Sequence, residues 1–296
     1  MIPLAFIQQW TASAPWPDLR QVEQDLIISR ALCDLFTSDI LRDRIAFRGG
    51  TAIHKLLFER PLRYSEDIDL VQTRAEPIGE IIDGIRNALS WLGKCSRTQT
   101  QHSSHLVFRF TPESGGGEPL KLKIEINTRE HQSRYGLRPY PFAVESDWHQ
   151  AHAEIMSFEP DEVFGTKLRA FLQRNKNRDL FDLNEGLLLS MLDRERLLDC
   201  FQHYLTLEGH PISRANAEER MLQKLSRSLT EDVRPLLPPG VRFDDADAVK
   251  AFGRVWGDLV SHLPGEPWKS SEAVIESIRE TTFPGLFDGI EWRGST

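Results

Sequence analysis

Phe47-Arg-Gly-Gly-Thr51 and, after a short amphipathic segment, Tyr64-Ser-Glu-Asp-Ile-Asp-Leu70 are the stretches whose reading decides the fold. A glycine pair closing a strand lets the backbone approach an anion closely, and a helix starting there aims N–H groups at phosphate. Asp67 and Asp69 are two residues apart, so on a strand both carboxylates share one face while Ile68 and Leu70 are buried on the other. Two carboxylates converging on one spot repel each other unless a divalent cation neutralises them. The pattern points to a site for a nucleoside triphosphate and a metal.

Working outward, Arg44 to Arg48 predicts a short strand. Residues 51–58 predict a helix that turns Ile53, Leu56 and Leu57 inward and breaks at Arg60-Pro61. The next strand runs from Asp67 to Val71. Upstream, residues 18–37 read as a helix capped by Asp18, with Leu19, Val22, Leu26, Cys33 and Phe36 at roughly helical spacing. Downstream, Pro77 suits a first helical position ahead of an Ile78, Ile81, Ile85, Leu89, Leu92 stripe. Two strands follow, at 105–111 and 120–127, joined by a glycine- and proline-rich loop. In the second, Leu120, Leu122, Ile124 and Ile126 alternate with Lys121, Lys123, Glu125 and Asn127. Its polar face offers a third carboxylate, Glu125, that could join the aspartate pair. Beyond residue 158 the chain reads as helices interrupted by prolines. The expected organisation is an α/β unit over residues 1–157 and a helical unit over residues 158–296.

A chain of 296 residues, 40% hydrophobic and 27% charged, has the make-up of a soluble globular protein with room for two modest cores. No run approaches the roughly 18 apolar residues of a membrane span, and the N-terminus lacks a secretory signal, so a cytoplasmic protein without membrane contact is expected. Cys33, Cys95 and Cys200 form no Cys-x-x-Cys pair, which fits reduced thiols.

A net charge of −8 argues against a generic nucleic-acid coat protein, but a local basic patch would still grip RNA. Lys167, Arg169, Arg174, Lys176 and Arg178 crowd one segment, and Arg129, Arg134 and Arg138 another; a solvated charged face is the simpler reading of each. His102 with His105, and His149 with His152, lack the further ligands of a zinc site. Lys55 reads as solvent-facing. Trp256, Trp268 and Trp292 read as core or interface anchors.

Each half of the Gly-Gly-Thr and Asp-x-Asp pattern is weak alone. In the order strand, Gly-Gly-Thr, helix, Asp-x-Asp strand, then a strand carrying an inward acid, the chain resembles the polymerase-β-like nucleotidyltransferases. More narrowly, Phe47-Arg-Gly-Gly-Thr-Ala52 and Arg63-Tyr-Ser-Glu-Asp-Ile-Asp-Leu70 are similar to the AbiEii/AbiGii-type toxin nucleotidyltransferases, relatives of the MenT toxins. Phe164-Gly-Thr-Lys-Leu-Arg-Ala170 and Arg178-Asp-Leu-Phe-Asp-Leu183 resemble that family's later motifs, so the likeness spans roughly residues 45–190. Arg48 stands where family members often carry lysine.

The resemblance implies an α+β fold, a polymerase-β-like palm of mixed sheet with flanking helices, followed by a C-terminal helical domain. It implies transfer of a nucleoside monophosphate from an NTP to an RNA hydroxyl, with tRNA and its 3′ acceptor end as the MenT relatives suggest. It also implies a cognate antitoxin partner and a role in toxin–antitoxin defence. Asp67, Asp69 and Glu125 would ligate one or two Mg²⁺ ions. Arg48, Gly49, Gly50, Thr51 and Ser65 would meet the triphosphate, with Lys167 offsetting its charge and Asp182 orienting Lys167 or the base. Phosphorylation of Ser65 would place negative charge beside the aspartates and block nucleotide. Rival readings are transfer to a protein hydroxyl, a catalytically silent partner-binding module of the same fold, and a metal-dependent phosphohydrolase.

Overall fold

The computed structural model describes residues 2–189 and 192–290, in two compact units. The first runs through Glu159 and takes back Leu236–Gly240; the second comprises Pro160–Pro235 and the chain from Val241 onward. The short return is anchored where Tyr64 N–H donates to the Leu236 carbonyl at 2.7 Å.

The first unit opens with α1 (Leu4–Trp10) and α2 (Leu19–Phe36), and the Asp18 side chain caps α2 by accepting from Arg20 N–H. Then come β1 (Ile45–Arg48), α3 (Gly49–Ala52), β2 (Asp67–Gln72), α4 (Gly79–Ala88), β3 (Cys95–Gln99) and β4 (Ser103–Phe110). The unit closes with β5 (Leu120–Asn127), β6 (Leu137–Ser146) and β7 (His149–Phe158). The strands form one mixed sheet in the order β3-β4-β5-β2-β1-β7-β6. β1 and β2 are antiparallel, whereas β2 pairs in parallel with β5, and β1 with β7. The fold class is α+β, a mixed sheet with flanking helices. Leu26, Ile27 and Ile28 of α2 share a buried core with Phe47, Ile68, Leu70, Ile124 and Ile126 of the central strands. Burial of that shared face drives the packing.

Several details depart from the expectations. The helix expected over residues 51–58 starts at Gly49 and widens over Ile53–Leu57 into a π-helical turn. Helix α4 begins at Gly79, leaving Pro77 outside it. Strands β3, β6 and β7 lie outside the strands that the sequence predicts. β6 carries Pro139 and Pro141, which depress strand propensity; it lies at a sheet edge, where a missing N–H is tolerated.

Lys55 is not solvent-facing. Its ammonium donates to Asp25 at 2.7 Å, and the same carboxylate accepts from the indole N–H groups of Trp10 and Trp16. A buried carboxylate must be matched by donors, and these donors tie α2 to the turn that follows α3. Cys33 and Cys200 are buried, and the three cysteines are free.

The second unit is helical: α5 (Pro160–Gln173), α6 (Asn177–Leu187), α7 (Arg194–Glu208), α8 (Arg214–Lys224), α9 (Asp245–Asp258) and α10 (Ser271–Thr281). A Cβ on Gly186 would fall 2.1 Å from the Phe164 ring, so α5 and α6 approach closely only because that position lacks a side chain. Trp256 is a core residue, packed against Phe252 and Phe287. Trp268 is half-buried, and Trp292 lies outside the described residues.

Candidate active site

β2 places Asp67 and Asp69 on one face and buries Ile68 and Leu70 on the other, to 0% and 2% exposure. The residue opposite Asp69 on β1 is Arg48, and Gly49 follows it directly. Gly49 has φ +85°, a left-handed conformation that favours glycine. A Cβ there would fall 2.0 Å from Asp69 Oδ2. Backbone and carboxylate therefore share a space that no other residue type leaves open.

The Thr51 hydroxyl donates to the Asp67 carbonyl and lies 2.8 Å from the Ser65 hydroxyl. A hydroxyl has one proton, so Ser65 is the donor of that second bond. Thr51 and Ser65 thus clasp the entry of β2. The Thr51 hydroxyl proton is spent on this clasp, which leaves its backbone N–H as the group for an anion. Arg48, expected to meet phosphate, forms an ion pair with Glu130. Glu130 is held in place by an Asn127 side chain that accepts from the Arg129 and Glu130 N–H groups at 2.9 Å.

The parallel pairing of β2 with β5 sets Asp67 beside Lys123 and Asp69 beside Glu125. Glu125 is therefore near the aspartates, as alternation predicts. Its carboxylate accepts from Lys123 Nζ at 2.8 Å and stands 3.6 Å from His105 Nε2. Burial works against the Lys123 charge, but the bond from Glu125 and the fields of Glu125, Asp67 and Asp69 outweigh it and hold its pKa above the ordinary lysine value. Among the described residues no three His, Cys, Asp or Glu side chains group to hold a metal ion. The donor set suits Mg²⁺, which is commonly held by one or two carboxylates with substrate phosphates completing its shell.

No motif in the sequence marks Lys123 or Glu130 as a site residue. Alternation put Lys123 on the face of Glu125, but only the register against β2 brings it beside Asp67. Glu130 lies in a loop with no sequence signal pointing to Arg48.

In the second unit, Lys167 lies 6% exposed on α5. Its ammonium contacts Asp179 at 3.1 Å and Asp182 at 2.9 Å, and both acids are fully buried on α6. Arg174 adds a guanidinium bond to Asp179 at 2.7 Å. Burial raises the Asp179 pKa; Lys167 and Arg174 more than reverse this and hold it below the ordinary carboxylate value. Lys167 is thus held between Asp179 and Asp182, and Asp179 also pairs with Arg174 of the basic segment. That segment is no continuous solvated face, since Arg169 is also buried and paired with Glu208 at 3.1 Å.

The Gly49 cradle beside two carboxylates on one strand face suits an anion together with a divalent cation. Residues 30–256 match the profile of the nucleotidyl transferase AbiEii toxins of type IV toxin–antitoxin systems, and the chain belongs to that family. MenT4, a nucleotidyltransferase toxin from Mycobacterium tuberculosis H37Rv, superposes with a TM-score of 0.62 at 15% identity, covering 97% of this chain and 98% of that one. JHP933 from Helicobacter pylori superposes with a TM-score of 0.51 at 15% identity, covering 90% and 96%. No curated protein matches the sequence. The family carries with it NTP, a divalent metal and an antitoxin partner. No helix among the described residues is long and apolar enough to cross a membrane.

Proposed function

We propose that the protein is a toxin that transfers a nucleoside monophosphate from an NTP to an RNA hydroxyl, with the tRNA 3′ acceptor end as the target, blocking translation. The observation that carries this reading is the seating of Asp69 Oδ2 against Gly49 on a face shared with Asp67. The backbone of Gly49, Gly50 and Thr51 would receive the β- and γ-phosphates, with the Thr51–Ser65 clasp fixing the entry of β2.

The acceptor oxygen attacks the α-phosphorus in line and a new P–O bond forms. The bond to the bridging oxygen breaks and pyrophosphate leaves with its electrons, while the hydroxyl proton passes to solvent or to a carboxylate. Mg²⁺ held by Asp67 and Asp69 would neutralise the triphosphate and make the attacking hydroxyl more acidic. Glu125 would reach the site as a further carboxylate only on release from Lys123. Lys167, which the resemblance sets against the donor's charge, lies in the second unit with its ammonium held between Asp179 and Asp182.

Incubating the protein with each labelled NTP, Mg²⁺, total RNA and total protein tests the reading. Label is expected on RNA, and absent with Asp69→Ala. Label on protein alone would move the acceptor to a protein hydroxyl; no label with any NTP would overturn the enzymatic reading. Growth arrest that survives both Asp67→Ala and Asp69→Ala would sink the mechanism.

A further inference from the structure

Within the second unit, the end of α5, the α7–α8 connection and the end of α8 line an open cavity of about 760 Å³. Arg220, Lys224 and Arg227 line it, spaced four and three residues apart, with His210 across from them in the connection. Arg220 and Lys224 lie one turn apart on the last turn of α8, and Arg227 follows just beyond the end of that helix. The floor is apolar, with Leu172 and Ile212 at 3% and 4% exposure. Among the described lining residues there is no acid and no Phe, Tyr or Trp.

These cations are poorly neutralised. Neither the Arg220 nor the Arg227 guanidinium has a hydrogen-bond or ion-pair partner among the described residues. Lys224 is 8% exposed and donates to the Arg174 carbonyl at 2.7 Å, a neutral group. Nearby acids are already engaged: Glu208 by Arg169 and Gln173, Asp179 by Lys167 and Arg174. Burial, and the fields of Arg227, Arg174 and Arg220 against that of Asp179, lower the Lys224 pKa to about 8. In a chain of net charge −8, such a concentration of positive charge is a local feature and not an overflow of the composition.

The cleft's form selects among anions. A single phosphate calls for donors converging on one point, whereas a row of cations along an open cavity matches successive charges on a polyanion. Without an aromatic side chain there is no platform for base stacking, so the grip would fall on the backbone and be indifferent to sequence. We propose that the Arg220–Lys224–Arg227 cavity binds the phosphodiester backbone of the acceptor RNA. This rests on the reading of the protein as an RNA nucleotidyltransferase and adds to it a place where the acceptor is held.

The test compares full-length wild type with Arg220→Glu/Arg227→Glu and the milder Arg220→Gln/Arg227→Gln. Binding of fluorescently labelled total tRNA is followed by anisotropy across a salt series, with Mg-NTP binding and the melting temperature as controls. Both side chains are solvent-facing, so the fold and NTP binding should survive. Neutralising two phosphate contacts should lower the slope of log K against log salt by about 1.4 and weaken low-salt binding about tenfold, with reversal weakening it further. An unchanged slope and affinity in both variants would overturn the site. Loss of binding to an acidic antitoxin with RNA binding intact would overturn it too, assigning the cavity to protein. Failure of wild type to label RNA would instead strike the functional reading, since the salt slope is measured without turnover.

Discussion

Gly49 lies against Asp69 so closely that a Cβ on the glycine would fall 2.0 Å from the Asp69 Oδ2 atom. Gly49 also holds φ +85°, so a side chain there meets both backbone strain and a carboxylate it must displace. Gly49→Ala is expected to reduce nucleotidyl transfer by about a hundredfold or more, the cost of roughly 1 Å of misplacement at a reacting centre. Steady-state labelling of RNA, beside a thermal melt showing a folded protein, checks this. Near wild-type transfer would mean that Asp69 does not need its seat.

The Thr51–Ser65 clasp predicts two separable outcomes. Thr51→Val removes the donor to the half-buried Asp67 carbonyl and should cost about 1 kcal/mol of stability by urea unfolding. Ser65→Asp loses the proton that Ser65 gives to Thr51 and brings negative charge toward Asp67, so NTP binding should fall further than in Ser65→Ala, which loses the same bond without the charge. A phosphomimetic variant with full activity would rule out a switch at Ser65.

Lys167, Asp179 and Asp182 form a buried ion network joined by the exposed Arg174, and removing one buried member leaves the others uncompensated. Asp179→Asn should destabilise the second unit by about 3–5 kcal/mol, read from denaturant midpoints. If Lys167 serves the donor as the resemblance implies, Asp182→Asn should lower activity beyond what its loss of stability explains. Activity tracking folded fraction alone would make the network purely structural.

Lys224 gives a pH signature of defined sign. Its pKa is about 8 in the folded chain against an ordinary 10.5, so between those values the unfolded chain binds more protons and folding stability rises with pH. Below about pH 8 the penalty of the buried charge is present in full. Wild type minus Lys224→Met should show this rise, of the order of 3 kcal/mol at most. A flat difference curve would mean that the ammonium is better neutralised than its surroundings indicate.

Much of the site is legible in the chain because it rests on local rules. The two-residue period of a strand puts Asp67 and Asp69 together, and alternation places Glu125 on the polar face of β5. Lys55 shows the limit: next to a glycine turn it looks like a surface cation, yet a carboxylate thirty residues earlier draws it inward. Arg48 finds Glu130 for the same kind of reason. The basic run from Lys167 loses three of its cations to buried or engaged acids, while Arg220, Lys224 and Arg227, which no motif marks, line a cavity.

By itself, then, the sequence determined the α+β class, the helical second half, and a glycine turn with paired aspartates on one strand face, because φ preference and strand periodicity act over a few residues. Only the tertiary structure decided which charges are partnered. Register across β2 and β5 set Lys123 beside Asp67 and tied Glu125 to it, and helix packing buried Lys167 between two acids. Pairing depends on distance and burial across the fold, and neither is written in the order of residues.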